Sequence, residues 1–491
     1  MEIVRVNSEE LENYPIEDLI DKFVYNHCKP GTGKTRKIHQ ILDYCVENEL
    51  KVMVCMPNHD LIDEFNRYNE YNSAHFWGKE YYCSMEDLEK YIPGCRECRI
   101  KCMYKIQKEW GKERPIIFIV PQHLFFVNEY NPDVLIVDES IEDLVYDCIE
   151  VPELLLESLE FKEIECSECP TSSTCRGRDR GWKFGFCYSK LIKKPEINNF
   201  TPSTTDDYFF KFSVDQLENI YAIQDEGKWK IGGVKNLSFL NDIPTIIFNC
   251  ATTDIDITER MFNREIDLLL EDSTELENKI YALNEVMTIS KTENFIDQLQ
   301  EFFQFFQIPA DERTLIFTKL RFEEEIRNIF PDVQIGHYGM SRGTNQYEGV
   351  RYVVLIGRYR LRDDHRNLLK MQGLTENEID RIEISEEEQA FHRARPLLYN
   401  NVKVYLLTNT LIKAEVVKPT VELKRNHFRI ITEIMDKKDQ LNGMNRKQIF
   451  SEIKGHNYDV TTGLYLLEDM GYIDNMDKKG SKFTWTSGAQ F

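Results

Sequence analysis

Short apolar runs alternate with amphipathic stretches over most of the chain. Phe23-Val24-Tyr25, Val52-Met-Val-Cys-Met56, Ile116-Ile-Phe-Ile-Val120, Val134-Leu-Ile-Val137 and Ile246-Ile-Phe248 are too short for helices and apolar on both faces. That is the pattern of strands buried in a parallel sheet. Helical spacing follows the first two, in Ile38, Ile41, Leu42, Cys45 and Val46, and again in Asp60-Leu-Ile-Asp-Glu-Phe65. The rhythm lapses between residues 142 and 241 and resumes near Lys279. There Thr314-Leu-Ile-Phe317, Tyr352-Val-Val-Leu-Ile356 and Val402-Lys-Val-Tyr-Leu-Leu407 read as strands, with a helix between Phe322 and Phe330. The pattern predicts an α/β chain with two parallel-sheet domains, residues 1–270 and 275–415, and cysteine-rich insertions in the first at about 80–110 and 142–241. The tail, 421–491, differs. Phe428, Ile431, Ile434 and Met435, then Ile449, Phe450 and Ile453, then Leu464, Leu467 and Met470 recur at helical spacing. Ile473 and Phe483-Thr-Trp485 flank the turn signal Asp477-Lys478-Lys479-Gly480, so three short helices and a basic-tipped hairpin predict a winged-helix-like domain. Such a domain binds DNA or a protein partner.

Size and charge narrow this picture. A chain of 491 residues exceeds one typical core. No apolar run approaches a membrane span, and the polar start MEIVRVNSEE is unlike a signal peptide, so a cytoplasmic protein without a membrane partner is expected. The net charge of −23 argues against a broad polyanion-binding coat but leaves room for a narrow basic channel.

The chemistry starts at Cys28-Lys29-Pro30-Gly31-Thr32-Gly33-Lys34-Thr35, between a strand and an amphipathic helix. Gly31, Thr32 and Gly33 let backbone N–H groups turn toward phosphates, Lys34 reaches the terminal phosphates of ATP, and the Thr35 hydroxyl can ligate Mg²⁺. Cys28 stands where this spacing usually has its first glycine. A second element, Asp138-Glu139, ends an apolar strand: Asp138 would hold the Mg²⁺ shell and Glu139 would polarise the attacking water. Farther on, Gln389, Arg393 and Arg395 form an element whose arginines could stabilise transferred phosphate.

Eight of the 13 cysteines fall into two groups of four. Cys83, Cys95, Cys98 and Cys102 are spaced C-x11-C-x2-C-x3-C, and Cys166, Cys169, Cys175 and Cys187 are spaced C-x2-C-x5-C-x11-C. Thiolates this close favour zinc or an iron–sulfur cluster over unrelated buried thiols. Arg176, Arg178, Arg180, Trp182, Lys183 and Phe184 lie within the second group, a mixture that could stack bases and pair phosphates or simply solvate a zinc knuckle.

Taken in order, these pieces resemble the superfamily 2 helicases, especially the XPD/DinG iron–sulfur group, over roughly residues 20–415. Lys34-Thr35 looks like motif I, Pro57-Asn58-His59 like motif Ia, Asp138-Glu139 like motif II and Cys250-Ala-Thr-Thr253 like motif III. The stretch from Thr314 to Lys319 is similar to motif IV, Arg342-Gly343-Thr344-Asn345 to motif V, and Gln389 to Arg395 to motif VI. The family's pattern has Ala-His where Ser140-Ile141 stands and a glycine at His392, and its second arginine falls one residue beyond Arg395. The resemblance implies two RecA-like domains with ATP and Mg²⁺ between them. Lys34, Thr35, Asp138 and Glu139 would come from one domain, and Arg393 and Arg395 from the other. Arg342, Gly343 and Asn345 join the nucleotide-binding set. It also implies a 4Fe–4S cluster at the first cysteine group, which lies between motifs Ia and II, whereas zinc or iron–sulfur stays open at the second. The implied activity is an ATP-dependent single-stranded DNA translocase or helicase acting on single-stranded or forked DNA, with RNA not excluded. The alternative is an ATP-gated clamp subunit of a larger complex, without unwinding. A small-molecule kinase fits the second α/β run and the arginines less well.

Overall fold

The computed structural model describes residues 1–67, 71–78, 81, 103–139, 146–151, 160–163, 189–193, 217–225, 228–235, 237–274, 276–283, 285, 287–339, 347, 349–396, 399, 401–423, 425–469, 471–474, 482 and 484–485. The chain divides into two compact units. The first comprises Met1–Glu275 and Arg360–Ser385; the second comprises Leu276–Ser341, Asn345–Tyr359 and Glu386–Phe491.

The first unit is built on eight strands: β1 (Glu2–Val6), β2 (Phe23–His27), β3 (Val52–Cys55), β4 (Ser73–His75), β5 (Ile116–Ile119), β6 (Val134–Asp138), β12 (Thr245–Asn249) and β13 (Leu268–Asp272). Their order across the sheet is β1-β13-β2-β12-β6-β3-β5-β4. Every neighbouring pair is parallel. The central strands read as continuous apolar runs because helices cover both faces, and β3 and β5 are buried along their whole length. Helix Lys34–Glu47 turns Ile38, Ile41, Leu42 and Cys45 into the core beside Val24, Val54 and Ile136. Helix His59–Asn66 is started by Asn58, whose side chain accepts from the Leu61 amide at 2.9 Å.

The interval without α/β rhythm contains a different architecture. Strands β7 (Tyr146–Glu150), β8 (Glu160–Glu163), β9 (Ser189–Lys193), β10 (Leu217–Asp225) and β11 (Lys228–Lys235) form an antiparallel sheet in the order β7-β11-β10-β9-β8. Helix Asp363–Met371 packs on β7, β10 and β11. Leu369, Leu374, Ile379 and Ile382 enter the core that holds Phe248 and Phe262. A charged knot fastens this segment: Arg366 meets Glu376 at 2.7 Å and Asp380 at 2.9 Å, and also Glu383, which is completely buried.

The second unit holds a six-stranded, all-parallel sheet of β14 (Lys279–Leu283), β15 (Thr314–Thr318), β16 (Gln334–His337), β17 (Tyr352–Ile356), β18 (Lys403–Leu407) and β19 (Val421–Leu423). Its order is β16-β15-β17-β18-β14-β19. The chain is thus α/β with two parallel sheets. Helices Arg425–Asp436, Arg446–Glu452 and Asn457–Asp469 and the antiparallel pair β20 (Ile473–Asp474) and β21 (Thr484–Trp485) follow. Their apolar faces share a core with the sheet. Phe428 packs against Phe295, Phe302 and Phe306, and the Tyr472 hydroxyl donates to the Phe305 carbonyl at 3.2 Å. No helix among the described residues is long and apolar enough to cross a membrane.

Candidate nucleotide site

The glycine loop grows out of β2, whose residues Phe23, Val24 and Tyr25 are wholly buried, and leads into helix Lys34–Glu47. Gly31 and Gly33 both adopt φ of 95°, in the left-handed region where a side chain is strained. The loop is tied internally, the Thr32 hydroxyl donating to the Lys29 carbonyl at 2.8 Å, and Lys29 Nζ donates to the Thr274 carbonyl at 2.9 Å. Lys34 Nζ folds back onto the Cys28 carbonyl at 2.5 Å. The Cys28 side chain points inward: it is 1% exposed, its Sγ approaches the Leu270 carbonyl on β13 at 3.8 Å, and burial pushes its thiol up to about 12. It acts as an apolar filler between β2 and β13, not as a nucleophile.

One strand, β12, separates β2 from β6, and the register sets Asn249 opposite both Asn26 and Asp138. Lys34 and Asp138 therefore rise from the same edge of one sheet. Burial raises the Asp138 carboxyl to about 7, the neighbouring charge of Glu139 adds to this, and the Lys34 ammonium opposes it. Glu139 takes φ of 76°, rare for a residue with a side chain, and its amide donates to the Asn249 carbonyl at 2.8 Å. The same asparagine accepts on Oδ1 from Asn26 Nδ2 at 3.0 Å, and Asn26 Oδ1 accepts from the Cys28 amide at 3.4 Å. Just beyond β12, Cys250 Sγ lies 3.1 Å from the Thr253 hydroxyl, and the Tyr25 hydroxyl donates to the Thr253 carbonyl. The ends of β2, β12 and β6 are thus joined by polar contacts. The two asparagines carry no motif spacing; what marks them in the sequence is that each polar residue ends a strand otherwise apolar.

A second group sits after β3, β4 and β5 in the same unit. His59 Nδ1 lies 2.8 Å from His75 Nε2, and His75 Nδ1 lies 3.2 Å from Asp63. Trp77 stacks on His59 with ring centroids 4.3 Å apart and on Tyr81 at 4.2 Å. His75 and His123 are each lowered to about 4, first by burial and then by the charge of His59. Of these, His59 and His123 fall at strand-end turns legible in the sequence; His75 and Trp77 have no such signal.

Helix Glu376–His392, which belongs to the second unit from Glu386 onward, ends in the arginine element. Gln389 and His392 are buried, Arg393 and Arg395 are half-buried, and Arg395 adopts φ of 50°. The acidic run before them is not a solvated face. Glu386 and Glu387 are 4% and 0% exposed; they accept from the amides of Gly339 at 3.0 Å and Tyr359 at 2.7 Å.

The eight cysteines proposed as metal ligands, and Arg342, Gly343, Thr344 and Asn345, lie outside the described residues. Among the described residues, no group of three or more His, Cys, Asp or Glu side chains could hold a metal ion.

No protein-family model matches the sequence, and no curated protein matches it. Solved structures do. That of S. tokodaii Xpd4 is 13% identical with a TM-score of 0.49, the match covering 85% of this chain and 99% of that one. The DEAD-box helicase Mss116 bound to ssRNA and UDP-BeF is 9% identical with a TM-score of 0.39, covering 96% of this chain and 90% of that one. S. cerevisiae Dbp5 bound to RNA and ADP BeF3 is 10% identical with a TM-score of 0.37, covering 87% and 90%. The chain is similar to these proteins over most of its length.

Proposed function

We propose that the chain is an ATP-hydrolysing motor on single-stranded nucleic acid, of the translocase or helicase type, with DNA as its track. The observation that carries this reading is the placement of Lys34 and Asp138 at one sheet edge, on either side of β12, with the lysine's charge acting on the acid. The left-handed glycines fit a loop whose amides face phosphate oxygens. Lys34 would neutralise the terminal phosphates, and Glu139 would orient the attacking water and take its proton. Thr35 and Asp138 would hold Mg²⁺, which supplies charge neutralisation at the phosphate oxygens when bound; a raised carboxyl awaiting a cation fits that role. Gln389, Arg393 and Arg395 are assigned to phosphate recognition, and Arg342, Gly343 and Asn345 to nucleotide contacts. The two cysteine groups, by their spacing, would each hold zinc or an iron–sulfur cluster, and the resemblance to the XPD/DinG group favours 4Fe–4S at the first.

The test is the rate of ATP hydrolysis with no nucleic acid, with single-stranded DNA, with single-stranded RNA and with duplex. Lys34→Ala and Glu139→Gln should fold and lose turnover. Strong stimulation by single-stranded DNA is expected. Turnover that ignores every polymer, or that survives either substitution, overturns the reading. Iron and zinc analysis after anaerobic purification decides the cysteine groups separately.

A further inference from the structure

The tail carries a face that the nucleotide site does not use. Helix Arg446–Glu452 and helix Asn457–Asp469 are joined by the four residues Ile453-Lys454-Gly455-His456. Two helices joined by a short glycine-containing turn have the connectivity of a helix-turn-helix. The turn is held in place: Arg429 Nη2 donates to the Lys454 carbonyl at 2.7 Å, and the Lys454 amide donates to Glu433 at 3.4 Å. Glycine is required by close approach, since a Cβ at Gly455 would stand 2.9 Å from Ile430 Cδ1. One at Gly463 would stand 3.3 Å from both Ile430 and Ile431. His427 and Asp459, 3.6 Å apart and buried, tie the first tail helix to the start of the last.

With Val460, Leu464 and Leu467 fully buried, the opposite side of helix Asn457–Asp469 faces outward. It presents Tyr458 at 69% exposure and Tyr465 at 41%, seven residues apart, with the hydroxyl-bearing Thr461 and Thr462 between them. Arg446 lies over the Tyr465 ring at 5.3 Å, and Lys447, on the same helix as Arg446, and Lys454 and His456, in the turn, are exposed. Charge sets this part of the chain apart. Residues 421–491 hold 11 lysines and arginines against 10 aspartates and glutamates, whereas residues 1–420 hold 50 against 74. The stretch from Ile453 to Tyr458 contains no acid.

We propose that this face docks in the major groove of duplex DNA, with helix Asn457–Asp469 as the recognition element. Arg446, Lys447 and Lys454 meet backbone phosphates, while Tyr458, Thr461 and Thr462 face the groove. A helix enters the wide major groove of B-form DNA, whereas that of A-form RNA is too narrow and deep, so the partner is DNA and not duplex RNA. Such docking would hold the chain on the double-stranded part of a substrate. It goes beyond the proposed motor activity and does not depend on ATP.

The experiment uses the full chain without nucleotide and a blunt DNA duplex of about two helical turns, read by fluorescence anisotropy across a salt series. Lys447→Gln with Lys454→Gln should weaken duplex binding about tenfold and lower the log–log salt slope by about 1.8. Tyr458→Ala should weaken binding with the slope unchanged. All three side chains are exposed, so melting temperatures should match the parent protein. Single-strand-stimulated ATP hydrolysis should also be unchanged, which separates failure here from failure of the motor reading. The proposal is overturned if the parent protein does not bind the duplex, or binds duplex RNA equally well. It is also overturned if the variants bind as the parent does, the result expected of a protein-docking face.

Discussion

Asn26 and Asn249 give the sharpest test of how the strand ends at the candidate nucleotide site are held together. Asn26→Ala removes the donor to Asn249 Oδ1 at 3.0 Å and the acceptor of the Cys28 amide at 3.4 Å. Both asparagines are 2% exposed, so water does not readily replace either partner. An unsatisfied buried polar group costs about 1–3 kcal/mol. The longer bond counts near the bottom of that range, because hydrogen bonds weaken with length. A loss of about 2–3 kcal/mol from the unfolding of the first unit is therefore expected, a shift of about 3–5 °C for a unit of this size. Urea titration followed by far-UV circular dichroism would measure it, with an unchanged slope showing that stability and not the unfolded state was altered. The decisive comparison is with Asn249→Ala and the double variant. Each single substitution strands one partner, whereas the double removes both, so the double should cost less than the sum by about 1 kcal/mol. Additivity within about 0.3 kcal/mol would refute the reasoning, since the two amides would then not be acting on each other.

Three further outcomes are expected. Glu387→Ala strands the Tyr359 amide that it accepts at 2.7 Å and should destabilise the second unit by about 1.5–3 kcal/mol in thermal unfolding; Glu387→Gln, which keeps an acceptor, should restore most of it. Arg366→Met leaves the fully buried Glu383 without its guanidinium and should cost the first unit about 3–5 kcal/mol, part of which returns when Glu383→Gln is added; no loss in urea titration would contradict the buried pair. His75 is held at about 4, below the ordinary 6.5, so its neutral form is the one the fold prefers. Its contribution is fully present above pH 6.5 and is lost as pH falls toward 4, by up to about 3 kcal/mol. His75→Gln should flatten the stability–pH curve of the first unit in that window, and an unchanged curve would refute the assignment.

The parallel strands are legible because sheets covered on both faces need residues apolar at every position, and β3, β5 and β6 have them. Edge strands lack that signal. β1 reads Glu-Ile-Val-Arg-Val with one buried residue, and β4 has three residues, none fully buried. The positions of Lys34, at the head of a helix after a glycine loop, and of Asp138 and Glu139, at the end of an apolar strand, are legible for a related reason: a charge closing an apolar run marks where the chain leaves the sheet. The insertion's antiparallel sheet is not, since its pairings depend on turns rather than on continuous apolar runs.

The acidic run shows where local reading stops. Glu386, Glu387 and Glu388 in a helix look like a solvated face, because three adjacent carboxylates resist burial together. The first two are buried all the same, each paid for by a backbone amide 47 and 28 residues away in the chain. Those amides belong to the ends of β16 and β17, where the chain leaves the sheet and has no strand partner to accept from it. A carboxylate placed in this way closes the strand end. Gly339 immediately precedes the stretch that contains Arg342, Gly343 and Asn345, and the helix bearing Glu386 runs on into Gln389, Arg393 and Arg395. The acids therefore tie the helix that runs into Gln389, Arg393 and Arg395 to two strand ends of the second unit. No spacing rule in the sequence could join them, because the link passes through a main-chain amide that every residue carries.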